Sequence, residues 1–199
     1  MDALRSIFHG VFPGAGLNKS LRILITLNMI FTFVVGVFAP FYAIFVQKIG
    51  GDIAFAGMSW AVFTIISGVL MLFFIKWELH VREQELLLAL GYLIRSVVFI
   101  SYAFMESMSQ LIMTQVLWGI AAAIGVPAFA AIYGAHTSRE GSIGEWGGLE
   151  GVSSIATGVA ALVGGLVIES FGFQPIFFAM SGVSFLLALY IWLLPRDVL

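Results

Sequence analysis

Arg95 lies in the run LLLALGYLIRSVVFISYAF, residues 86–104, and is its one charged residue. A guanidinium in such surroundings needs a partner or water, because an arginine at the centre of a bilayer costs about 3 kcal/mol on insertion scales. Two chemistries fit. One is recognition of an anion; the other is a hydrogen bond to a neighbouring helix's carbonyl or to an acid. Asn28 and Gln115 are neutral polar side chains in two further apolar runs. Each can donate and accept, which suits contact with a polar solute as well as a hydrogen bond between helices. Glu150 stands near the start of another apolar run. A membrane-embedded carboxylate can carry a proton, and this one can equally reach water or pair with Arg139 or Arg82.

No catalytic constellation accompanies these residues. His9, His80 and His136 are far apart in sequence and make a poor metal cluster. The stretch GEWGGLEGVSSIATGVAALVGG, residues 144–165, holds seven glycines but lacks the GxxxxGK[ST] pattern of a phosphate loop. With no cysteine there is neither a disulfide nor a thiolate metal site. The sequence therefore reads as a non-enzyme without cofactor, metal or nucleic-acid partner. The net charge of −2 says little about partners.

The elements that position these groups follow from composition. The 199 residues are 61% hydrophobic and 10% charged, with a mean hydropathy of +1.07. Soluble domains are about 25% charged. The charges fall in short islands separated by apolar runs long enough to cross a bilayer as helices, about 20 residues each. Runs of this length, without alternation, exclude a β-barrel, and helices are the other way to satisfy the backbone in lipid. Six spans are expected near 22–46, 54–75, 86–105, 108–135, 147–168 and 174–194. Residues 20–199 thus form a six-helix transmembrane domain. Residues 1–19 form an interfacial amphipathic helix and linker. Leu4, Ile7, Phe8, Val11 and Phe12 share one face of that helix, and Pro13, Gly14 and Gly16 end it.

Lysine and arginine set the direction. A cytoplasmic N-terminus puts Arg5, Lys19, Arg22, Lys76, Arg82, Arg139 and Arg196 inside and Lys48 alone outside. Both termini are therefore expected in the cytoplasm, in a plasma or inner membrane.

The glycine-rich fifth span has a pattern of its own. Gly147, Gly151, Ser154, Gly158, Ala161 and Gly165 share one side of a helix, and all are small. Such a seam admits another helix backbone at close range. It is expected to be a helix-packing or dimer surface that can slide, since few interlocked side chains oppose the motion. Spans one and four carry a faint internal repeat, GVFAPFYAIFV against GVPAFAAIYG. It suggests three spans plus three in inverted orientation, a trait of secondary transporters.

The chain resembles one six-helix half of a major facilitator superfamily transporter. The segment QVLWGIAAAIGVPAFAAIYG is similar to the family's fourth helix, and residues 138–178 to its following loop, fifth helix and Phe-Gly-aromatic turn into the sixth. Gly36 to Pro40 matches its first helix. The loop KWELHVRE departs from the family's glycine- and aspartate-bearing pattern between helices two and three. Gln115 occupies the position of the fourth-helix arginine, and residues 160–165 lack the proline of the antiporter motif. The resemblance implies an all-α membrane protein with a 3+3 inverted repeat. It also implies small-solute transport by alternating access, with helices one and four lining a cavity that Asn28 and Gln115 would reach. Arg95, on a peripheral helix, is a third candidate for substrate contact, and Glu150 a candidate for proton coupling. Six helices where family members ordinarily have twelve imply a homodimer in lipid, joined through helices two and five. The alternative is a membrane scaffold or accessory protein that keeps the half-fold without transporting.

Overall fold

The computed structural model describes residues 18–78, 80–137, 142–195 and Val198. The expected amphipathic helix of the first residues lies outside them, as does Arg139. Described residues form α1 (Lys19–Gly36), a 3₁₀ turn (Ala39–Phe41), α2 (Tyr42–Lys48), α3 (Ile53–Glu78), α4 (Gln84–Ala103), α5 (Met108–His136), α6 (Ser142–Phe171) and α7 (Gln174–Leu193). α1, the turn and α2 make one membrane-length span, and α3 to α7 make five more. All six expected spans are present. The fifth is extended at its start, which brings Gly144 and Glu145 into the helix.

Local chemistry explains the ends. Asn18 caps α1 by accepting from the Leu21 amide at 2.8 Å, so a free helix-end donor is satisfied. Ser107 and Gln110 form a reciprocal capping box at the start of α5. Gly172, at φ +77°, ends α6 in the left-handed conformation, with its amide on the Ile168 carbonyl at 2.9 Å. The first span breaks after Gly36 because Pro40 has no amide proton to continue the ladder. α5, by contrast, runs unbroken through Pro127.

Successive spans alternate in direction through short connections. One end of the bundle carries the start of α1 and the ends of α3, α5 and α7; most basic residues flank it, and it is termed the basic end. There the Asn18 amide nitrogen donates to the His136 carbonyl at 3.2 Å, and the Ser20 hydroxyl to the Val198 carbonyl at 2.7 Å. At the distal end Gln174 donates to the Ala103 carbonyl at 3.3 Å.

The closest helix pairs are α4 with α7, α4 with α5, α3 with α5, and α1 with α6. The core divides by depth. Its basic half is aliphatic, built on Leu21, Leu24, Leu88, Ile132 and Leu149. Its distal half is aromatic, with Phe38, Phe45 and Phe177 in contact with one another and each with both Tyr102 and Phe173. The Phe38 and Phe177 rings meet edge-on at 4.9 Å. Burial is uneven among the helices. In the most apolar stretch of α3 11% of residues are buried, and in α6 22%; α4 and α5 each reach 56%.

Candidate functional site

The substrate-contact candidates sit in three polar arrangements of the interior, at three depths.

Near the distal end, the Gln115 side-chain nitrogen donates to the Tyr42 hydroxyl. Tyr42 and Ser59 are joined hydroxyl to hydroxyl at 2.6 Å, and Ser59 donates to the Ala56 carbonyl at 3.0 Å. The donor order therefore runs from α5 through α2 to α3. Gln115 and Ser59 are wholly buried. Trp60 and Trp118 close the surroundings, with Trp60 5.6 Å from Tyr42 and 6.2 Å from Trp118, ring centre to ring centre. Two atoms stay without a partner among the described residues: the Gln115 carbonyl oxygen and the Tyr102 hydroxyl. Buried polar atoms are ordinarily satisfied, so this cluster can accept one more donor and offer one more hydroxyl.

At mid-span, Arg95 on α4 is 5% exposed. Its guanidinium carbon lies 4.6 Å from the centre of the Phe31 ring and 5.5 Å from that of Tyr92. These distances suit cation–π attraction. Its Nε has no hydrogen-bond partner among the described residues.

Toward the basic end, the Asn28 amide nitrogen donates to the Ser153 hydroxyl at 2.8 Å, and Ser153 donates to the Leu149 carbonyl at 2.7 Å. This bond ties α1 to α6. Asn28 is partly exposed. Glu150 is exposed on α6, beside the buried pair Leu149 and Ser153.

The three substrate-contact candidates therefore do not converge within one unit. Asn28 and Gln115 belong to separate interhelical bonds, and Arg95 sits between them in depth. Sequence reading missed the partners Tyr42, Ser59 and Ser153. Ser153 had a visible signal, since it lies one position from the seam residue Ser154.

The seam itself is split. A Cβ on Gly147, Gly151 or Gly158 would meet nothing within 4 Å, and Ser154 is exposed. Ala161 is half-buried, and Gly165 faces the Phe41 ring. The close crossing with α1 uses the neighbouring line, through Ala160 and Gly164. A Cβ on Gly164 would stand 2.0 Å from the Val37 carbonyl oxygen, and one on Gly36 3.0 Å from the Ala160 side chain.

An apolar groove of about 560 Å³ opens between α1, α6 and α7, lined by residues such as Met29, Phe33, Val159, Val163, Ala179 and Val183. It offers no polar side chain to orient a polar solute. The polar arrangements are therefore the better candidates for recognition.

Six membrane-length apolar helices, with a few polar side chains bridging helix crossings, define an integral multi-pass membrane protein. Residues 24–198 match the family described as the Major Facilitator Superfamily, and the chain belongs to it. Its six helices correspond to one half of the family's fold. Membership points to transport of a small solute across a membrane rather than to enzymatic chemistry. No curated protein matches the chain.

Proposed function

We propose that this chain is one six-helix unit of a secondary-active transporter that moves a small solute by alternating access, and that two copies pair to form the carrier. The observation that carries the pairing is the exposure of α3 and α6. These are the second and fifth spans, the least buried of the six. α6 also presents Gly147, Gly151 and Gly158 to open space. A parallel homodimer with a two-fold axis along the membrane normal would bring these faces together. Small residues there would let the backbones approach and slide.

In this reading Asn28, Gln115 and Arg95 contact solute, and Glu150 is the proton-coupling group. Gln115 is enclosed in the distal cluster, so it meets solute when that cluster opens. The helix pairs support the inverted 3+3 arrangement: α3 on α5 is the counterpart of α6 on α1. The charge bias supports cytoplasmic termini in a plasma or inner membrane.

Native mass spectrometry from lipid nanodiscs tests the pairing, with twice the monomer mass expected. Leucine at both Gly151 and Gly158 should abolish that species while membrane insertion persists. A monomer that still drives solute counterflow in liposomes would overturn the homodimer.

A further inference from the structure

Arg95 is a buried cation with no hydrogen-bonded or ion-paired carboxylate among the described residues. The helices packed on α4 are α5 and α7. Neither contains an aspartate or glutamate, nor does α1, which brings Phe31 to the guanidinium. Aromatic faces attract a cation by about 0.5–2 kcal/mol, but they do not accept hydrogen bonds in the guanidinium plane as an oxyanion does. The Nε is left without a partner among the described residues.

Glycine lets the guanidinium pack against a close helix crossing. α4 and α5 cross at Gly91 and Gly125, where a Cβ on Gly91 would stand 2.9 Å from the Gly125 Cα. A Cβ on Gly125 would lie 3.2 Å from a terminal nitrogen of Arg95. The side chain thus lies along the α5 backbone at a point where any larger residue would displace it. This crossing sets the cation between α1, α4 and α5, at the middle of the α4 span.

We infer that the solute is an anion, bearing a carboxylate or phosphoryl group that pairs with Arg95 at mid-membrane. The inference rests on the transport reading given above and names the substrate class. Unlike Asn28 and Gln115, whose amide nitrogens are engaged across helices, Arg95 has planar donor capacity to spare. Both oxyanions match it geometrically.

The full chain in nanodiscs is exposed in turn to benzoate, inorganic phosphate, choline and glycerol at constant ionic strength. Two readouts are followed: thermal stability and the nitrogen-15 Nε–H resonance of Arg95, assigned by its loss in Arg95→Lys. Benzoate or phosphate should raise the stability and move that resonance. Which of the two acts separates a carboxylate solute from a phosphoryl one. Arg95→Gln should weaken the effect on stability by about tenfold or more. Arg95→Lys should retain part of it, and Gly125→Val should weaken it with the arginine still present. A response to choline or glycerol alone, no response to any probe, or an anion response surviving in Arg95→Gln would each overturn the anion site. Flux in liposomes separates the two readings. Choline or glycerol transport equal in wild type and Arg95→Gln leaves a carrier without the anion site. Anion binding at Arg95 without flux of any solute leaves the site without the carrier.

Discussion

At Gly164 a methyl group would come within 2.0 Å of the Val37 carbonyl oxygen, part of a backbone that cannot turn aside as a side chain can. Gly164→Ala should therefore force α1 and α6 apart and cost about 1–3 kcal/mol. Gly158→Ala, on the same helix, meets open space within the single unit and should leave the stability of the dissociated monomer unchanged or slightly raised, since alanine favours the helix. Thermal unfolding in detergent compares the two directly, and equal losses would contradict the crossing described. Gln115 gives a different kind of test. Its nitrogen bonds Tyr42, but its oxygen is unsatisfied among the described residues. Replacement by methionine removes one bond and one orphan together, so the cost should stay near or below about 1 kcal/mol. If Gln115 contacts solute, Gln115→Met should lower transport well beyond that small change in stability. Unchanged uptake at unchanged stability would confine Gln115 to packing.

Among the helices, the Asn28–Ser153 bond is the polar tie between α1 and α6. Ser153→Ala leaves the Asn28 amide without that acceptor and should cost about 0.6 kcal/mol, the average measured for hydrogen bonds between membrane helices. Urea or detergent titration against wild type reads the difference. The sequence showed the six spans to within a few residues, because their length and the charge islands between them are set by the bilayer. It did not show which side of each helix faces its neighbours. α6 is apolar nearly all round, so no polar face orients it. Small residues occur on two adjacent lines of that helix, Gly151 with Gly158 and Ala160 with Gly164. Periodicity selects the first line, whereas the contact with α1 uses the second. The candidate site was legible only as isolated polar residues. That Tyr42 would join Gln115 to Ser59 depends on three helices meeting, and no spacing along one helix carries that information.

For the molecule as a whole, the even number of spans and the basic end fix one topological expectation. A fluorescent protein fused to the C-terminus should fluoresce, and alkaline phosphatase fused there should be inactive, as both report a cytoplasmic location. The reverse pattern would invert the orientation drawn from the charges. The division of the core by depth also has a mechanical side. The first span is not one rod: its break lies between α1 and α2. α1 is fastened to α6 through Gly36 and Asn28, while α2 is fastened to α3 and α5 through Tyr42. The two pieces of a single span thus answer to different neighbours. If the carrier works by the alternating access proposed above, tilting of α6 against α3 would load the turn at Ala39–Phe41 like the elbow of a crank, and rotation at one membrane surface would reach the other as a change of bend.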